Sequence, residues 1–389
     1  MLEPIRVAQV VEAVEGGCKR HVLDLVAGLD PARFRQTVIH SSRRDPGFPE
    51  AIAAATGGAV ETIPWNVLRR FCPVLDLQGY RFLGKLFRER GFDIIHCHSA
   101  KAGLLGRLAA RHLPAAKVYT PHCFPFCMET DAFATMLYVW LERLAGASTD
   151  RLVAVAPSEA DIARAMNVVA LERVVLIENG IDPRPFDVAV DVEAKRAELG
   201  LAMADEVVLS VGALRPQKGH RYLVLAAPAI VRRRPRVRVL IAGSGPEQTD
   251  LAELAARLGV ERQVRLLGAR DDVPELLKIA DCLVMASLWE AGPYAVFEAM
   301  AAGTPVVASR ILGLTDWVRE GQTGRLAEPK DPASLAQAID QALSEPDESR
   351  RMAAEAREMV LRRNTRDRWL ADMAALYEQL AGARDPAHA

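Results

Sequence analysis

Val207-Val-Leu-Ser-Val211-Gly-Ala-Leu-Arg215-Pro-Gln-Lys218-Gly219 reads as a short β-branched strand that runs into a glycine-opened loop. A helical pattern from Gly219 to Arg234 follows, then a second strand pattern from Val237 to Ala242 that ends in Gly243-Ser-Gly-Pro246. Strand, loop, helix and strand in that order make the repeating unit of a parallel α/β sheet. The chain begins the same way, with a strand from Ile5 to Val11, a loop carrying Gly16-Gly17, a helix from about Lys19 to Leu29 and a strand near Gln36 to His40. Further strands are expected at Val264 to Leu267, Cys282 to Met285 and Pro305 to Ala308.

Two doubly wound halves fit this order. At 389 residues the chain exceeds the length at which one core stops growing, so two domains are expected. The join is expected near 180–205, where Asn179-Gly-Ile-Asp-Pro-Arg-Pro-Phe186 carries an Asn-Gly turn and two prolines and an acidic stretch follows. The expected division is 1–182 and 183–364, with a C-terminal helix at about 365–385 and a frayed tail over the last fifteen or so residues.

Composition narrows the class. Half of the residues are hydrophobic, a quarter are charged and the net charge is -1, which points away from nucleic acid. The N-terminus runs into a strand without the basic start and apolar core of a signal peptide, and no apolar run reaches membrane-spanning length. A cytoplasmic protein is expected. The six cysteines lack disulfide spacing. His96, His98, His122, Cys123 and Cys127 lie close in sequence without zinc-ligand spacing, so buried thiols and strand-end histidines are expected and no metal site is assigned.

Ligands of open α/β sheets sit at the carboxyl ends of the strands. Four loops qualify. Glu290-Ala-Gly-Pro293 leads into a helix expected over Tyr294 to Ala302, so Gly292 and Pro293 would open a helix N-terminus toward phosphate. Glu290 can accept hydrogen bonds from sugar hydroxyls or merely complement the helix dipole. Glu298 can reach a vicinal diol or lie solvated; its apolar neighbours argue for burial with a partner. Arg215 and Lys218 suit a diphosphate, whose developing charge fixed cations stabilise; their place after a strand favours this over a solvated basic loop. Gly243 opens a glycine turn that lacks the full dinucleotide spacing, which disfavours a nicotinamide enzyme. In the first half, His122 would stand at the sheet edge as a structural or a site residue, while Lys101 and Arg107 would bind an anion or face solvent. No Asp-x-Asp pair occurs, so protein cations would replace a divalent metal.

With these residues in place, the sequence resembles the family 4 glycosyltransferases, retaining enzymes of GT-B fold, over almost its whole length. The resemblance runs in order through Gly16-Gly17, Asn179-Gly-Ile-Asp182, Lys218-Gly219, Gly243-Ser-Gly-Pro-Glu247, Leu267-Gly268, Ala280-Asp281, Ser287, and Glu290-x7-Glu298 with its continuation to Val307. Arg69-Arg70-Phe-Cys-Pro-Val-Leu-Asp76, His98-Ser-Ala-Lys-Ala-Gly-Leu-Leu-Gly-Arg107 and Tyr119-Thr-Pro-His122 resemble bacterial enzymes that build exopolysaccharide, capsule or O-antigen units on a lipid carrier.

The resemblance implies two Rossmann-like domains facing across a cleft, with the C-terminal helix returning to the first. It implies Glu290 on the donor sugar, Glu298 on the ribose, Lys218 and Arg215 on the diphosphate, and the backbone around Arg270 on the base. Gly17 would lie near the phosphates, His122 beside the reacting carbon, and Arg70 and Lys101 on the acceptor side. The donor is expected to be a UDP-sugar rather than a GDP-sugar, used without a metal cofactor, and the acceptor a polyprenyl-linked saccharide. Phe124, Phe126, Phe133, Met136, Leu137, Tyr138 and Trp140 would form either a membrane-touching surface or core. A nucleotide-sugar epimerase and a non-catalytic GT-B scaffold are the rival readings. The sequence departs from the family pattern at Ala213, at Ala291 and over Gly313-Leu-Thr-Asp316.

Overall fold

The computed structural model describes residues 3–41, 43, 45–187 and 189–383. Two compact units are present: the chain up to Asn179 joined by the segment from Arg366 onward, and Gly180–Thr365. Ile181 donates its amide to the Asn364 carbonyl at 2.8 Å, so the two ends of the second unit's chain lie side by side.

In the first unit the strands are β1 (Ile5–Val11), β2 (Phe34–Ser41), β3 (Glu61–Trp65), β4 (Ile94–His98), β5 (Ala116–Thr120), β6 (Arg151–Ala154) and β7 (Val174–Leu176). They form one parallel sheet in the order β3-β2-β1-β4-β5-β6-β7. The second unit holds β8 (Glu206–Val211), β9 (Val237–Ala242), β10 (Val264–Gly268), β11 (Cys282–Met285), β12 (Val306–Ser309) and β13 (Arg325–Ala327), ordered β10-β9-β8-β11-β12-β13. The order in which strands are added therefore reverses once in each parallel sheet, between β1 and β4 and between β8 and β11. Such switch points leave a crevice above the strand ends. Helices cover both faces, which is why β9 and β11 read as nearly continuous apolar runs rather than alternating ones.

Several elements differ from expectation. The first helix starts at Gly16, not Lys19, so Gly17 lies in its first turn and not in a loop. Its φ of +57° gives Gly16 a backbone that a side chain would strain. The last helix, Arg366–Gly382, lies where a C-terminal helix was expected, and its end is ordered rather than frayed: Trp369, Met373, Tyr377 and Leu380 are buried against Val7, Leu25, Phe34, Ile94 and Val118, while the rest of the expected tail, 384–389, lies outside the described residues. Burial of a helix face, rather than distance from the chain end, decides its order. Phe124 is fully buried and Phe126 packs on it, so these two are core. Phe133, Met136, Leu137 and Trp140, on the helix Ala132–Gly146, are exposed. Among the described residues no helix is long and apolar enough to cross a membrane.

Candidate active site

The loops after β8 and β11 flank the switch point of the second sheet, and both are stitched into place. Gly219 has φ +61°, and a Cβ there would meet the Ala286 carbonyl oxygen at 2.0 Å. Only glycine lets the Lys218 turn approach the end of β11 so closely. Leu288 donates its amide to the Gln217 carbonyl at 2.8 Å, and the Gln217 amide nitrogen donates to the Trp289 carbonyl at 3.0 Å. Two loops far apart in sequence thus form one platform.

On that platform Lys218 Nζ donates to Glu290 Oε1 at 2.5 Å, and Ser287 Oγ donates to the same oxygen at 2.8 Å. The Glu290 side chain is 7 % exposed and that of Lys218 is 21 % exposed. The sequence assigned these two to different parts of a donor; here each is the other's partner. Gly313, with φ +83°, passes so close to the Glu290 carbonyl that a Cβ would lie 2.2 Å from it, which ties a third loop to the same spot. Beneath Lys218, His220 is buried with its Nδ1 3.3 Å from Ser210 Oγ. Burial first, and then the Lys218 charge, push its pKa down to about 4.

The helix Tyr294–Ala302 begins where the sequence placed it, with Pro293 as its N-cap and Gly292 just before. Glu298 is buried on that helix. Gly243 donates its amide to the Gly268 carbonyl at 2.7 Å, and Leu214 donates to the Ser244 carbonyl, so the loops after β9 and β10 join the same cluster. Arg215 caps the short turn that carries Lys218. The Arg270 side chain turns elsewhere: its Nε donates to Asp272 Oδ1 at 2.7 Å and its Nη2 to Glu198 at 2.9 Å, within a group that includes Lys195. Its guanidinium is engaged there.

The first unit holds a second cluster at its own switch point. His98 ends β4, His122 follows β5, and His21 comes from the helix after β1. The rings of His21 and His122 lie 4.5 Å apart between centroids, and those of His21 and His98 5.3 Å. His122 sits at φ +54°, a left-handed backbone that only a minority of non-glycine residues adopt. Burial, and then the neighbouring imidazoles, hold His96, His98 and His122 well below the usual histidine range. His96 is not a strand-end residue: it lies inside β4 and bonds Tyr377 and Thr120. His21, Gln9 and Tyr377 were missed in the sequence. A histidine one turn beyond Gly17 was the available signal.

Two expected anion binders are otherwise occupied. Arg107 is fully buried, bonded to Glu142 at 2.6 Å and stacked 3.7 Å over the Tyr119 ring. It neither faces solvent nor waits for an anion. Lys101 Nζ lies 2.7 Å from both Asp76 Oδ1 and the Arg70 carbonyl, so its charge is compensated inside the protein. Arg70 itself is exposed.

Comparison with known proteins agrees with this architecture. Residues 191–359 match the profile of glycosyl transferases group 1, and residues 15–184 match that of glycosyltransferase family 4. A UDP-Gal:α-D-GlcNAc-diphosphoundecaprenol α-1,3-galactosyltransferase from Escherichia coli is 33 % identical over 280 residues, which cover 70 % of this chain and 72 % of that one. The putative glycosyltransferase EpsD of Bacillus subtilis is 31 % identical over 78 % of this chain and 80 % of its own. Among solved structures, Anabaena HepE in complex with UDP and glucose superposes with a TM-score of 0.82 at 22 % identity, over 96 % of this chain and all of that one. WaaG, a glycosyltransferase involved in lipopolysaccharide biosynthesis, gives 0.74 at 19 % identity, over 98 % of this chain and all of its own. Both likenesses bear on the fold, which is GT-B.

Proposed function

The chain belongs to the family 4 glycosyltransferases, and from that premise we propose that it moves a sugar from a UDP-sugar to a polyprenyl-linked saccharide with retention of anomeric configuration, in cell-surface polysaccharide assembly on the cytoplasmic face. The observation that carries this reading is the Lys218–Glu290 pair at the switch point of the second sheet. A cation and a carboxylate fixed side by side can divide a nucleotide sugar between them, the cation taking the diphosphate and the carboxylate the sugar hydroxyls. With Lys218 and Arg215 on the leaving group, transfer needs no divalent metal. Gly292, Pro293 and the helix they open would face the phosphates, Glu298 the ribose, and Gly243 with the Arg270 backbone the rest of the nucleotide. In the first unit Gly17, His122, Arg70 and Lys101 would border the reacting carbon and acceptor, Lys101 by positioning the Arg70 segment. Support for donor and acceptor comes from the E. coli relative, whose name specifies UDP-Gal and a diphosphoundecaprenol-linked GlcNAc, and from the HepE complex with UDP and glucose.

Incubation with a panel of UDP- and GDP-sugars, with and without a polyprenyl-diphosphate-linked monosaccharide, tests the proposal. The expected outcome is acceptor-dependent UDP release and a product whose anomeric coupling in NMR matches that of the donor. Isomerised UDP-sugar without acceptor would identify an epimerase, and no nucleotide binding at all would identify a scaffold.

Membrane-borne acceptors also give the exposed side of Ala132–Gly146 a role. Phe133, Met136, Leu137, Trp140 and Leu144 recur there at helical spacing, and all are exposed. We propose that this stripe rests in the bilayer interface. In flotation with anionic vesicles, F133S/W140S should reduce bound protein at least about tenfold while leaving transfer to a water-soluble acceptor intact. Equal flotation of the variant would remove the helix from the membrane.

A further inference from the structure

We propose that His21, His98 and His122 form a binding site for a zinc-class transition-metal ion, and that the ion inhibits the enzyme. One ring nitrogen from each histidine lies within 4.8 Å of the others. His98 Nδ1 and His122 Nε2 are 3.2 Å apart and share a hydrogen bond, which an entering ion replaces as the His122 proton moves to Nδ1. Two nitrogens on a tetrahedral zinc with bonds of about 2.0–2.1 Å stand about 3.3 Å apart, so this edge already has the spacing.

The surrounding hydrogen bonds point the lone pairs of His98 and His21 inward. Gln36 Nε2 donates to the Val26 carbonyl, which can only accept; Gln36 Oε1 must therefore accept from Gln9 Nε2. That leaves Gln9 Oε1 to accept from His98 Nε2 at 2.9 Å, so the free lone pair of His98 is on Nδ1, the atom facing His122. Asn179 Oδ1 accepts from His21 Nδ1 at 2.9 Å. His21 Nε2 is then a buried acceptor that nothing in the protein satisfies. Amide partners on the far nitrogens are the arrangement by which ligating histidines are oriented and made more basic. Three neutral imidazoles without a carboxylate select zinc, cobalt, nickel or copper over magnesium or calcium. The sequence hid this set because its members come from a helix, a strand end and a loop, with no zinc-ligand spacing between them. The half-buried edge of His122 leaves the fourth position for water.

Zinc titrated into the metal-free, untagged full chain against a fluorescent chelator should fill one site per chain at micromolar concentration or below, and excess magnesium should not displace it. H122N and H21Q should each weaken zinc at least about tenfold, and Q9A about tenfold through the lost orienting bond. Asn is suited to the left-handed backbone at His122, so H122N keeps the fold even where H21Q does not. Cobalt should give visible ligand-field bands of four-coordinate intensity that H122N abolishes. No zinc retained at micromolar levels, or unchanged affinity in H122N, overturns the site. The inhibitory half rests on the proposed place of His122 at the acceptor. Zinc bound with transfer unimpaired overturns that half and that placement, while the ion site itself stands.

Discussion

Replacing Lys218 with alanine should lower kcat by about a hundredfold or more, or about 2.7 kcal/mol of transition-state stabilisation, with little change in donor KM. The negative charge on the departing diphosphate grows during reaction, so a cation fixed beside it acts mostly in the transition state. Its fixing is visible: Lys218 is gripped by Glu290, its turn is locked by Gly219 against the Ala286 carbonyl, and Gln217 pins the facing loop. A merely structural ion pair predicts otherwise. Removing Lys218 would then leave Glu290 held by Ser287 alone, lowering stability and raising KM without a selective fall in kcat. The contrast is Glu298→Ala, which should raise donor KM and leave kcat nearly intact, because a ribose contact is made equally before and during transfer. Steady-state kinetics on both variants checks the pair. A fully active K218A removes that residue from the diphosphate, and a collapse of kcat in E298A removes Glu298 from the ribose.

Local pattern was legible where one segment contained its own cause. Val237–Ala242 and Tyr294–Ala302 have the bounds read from the sequence, since β-branched runs and a Pro293 start are local signals. Pairing was not legible. Lys218 and Glu290 meet although 72 residues separate them, and nothing in either segment states that the Lys218 turn will reach the end of β11. The same blindness made Arg107 and Lys101 look like free cations. Their neutralising partners, Glu142 and Asp76, lie on other helices, so burial looked too costly from sequence alone. His21 escaped for a related reason: only the order β2-β1-β4-β5 brings the helix after β1 beside the ends of β4 and β5. Gly17 was misjudged by a turn, because the Gly16-Gly17 pair that suggested a loop opens the helix itself, with the positive φ at Gly16.

Acid should loosen the second unit as pH falls from about 6.5 toward 4, and His220 is the group to watch. Its imidazole is 1 % exposed, and its folded pKa is about 4 against about 6.5 in an unfolded chain. The folded state therefore binds fewer protons than the unfolded one between these values. Stability is fully present above pH of about 6.5 and is lost as pH falls toward 4, by roughly 3 kcal/mol at the limit. Salt-bridged carboxylates such as Asp272, whose pKa is lowered by Arg270 first and Lys195 later, lose their contribution only at still lower pH. Glu247, whose pKa burial raises, adds stability as pH falls, so a loss of stability between pH of about 6.5 and 4.5 has the sign of buried imidazole and not of that carboxylate. Because His220 directly follows the Lys218–Gly219 turn, its protonation releases the segment that aims Lys218. Hydrogen exchange at the amides of the helix His220–Arg233 should accelerate across that window more than the global unfolding rate requires. In H220Q, which keeps a polar side chain but cannot titrate, exchange in this helix should lose its pH-dependent excess. An excess that persists in H220Q would place the acid-sensitive group elsewhere in the unit.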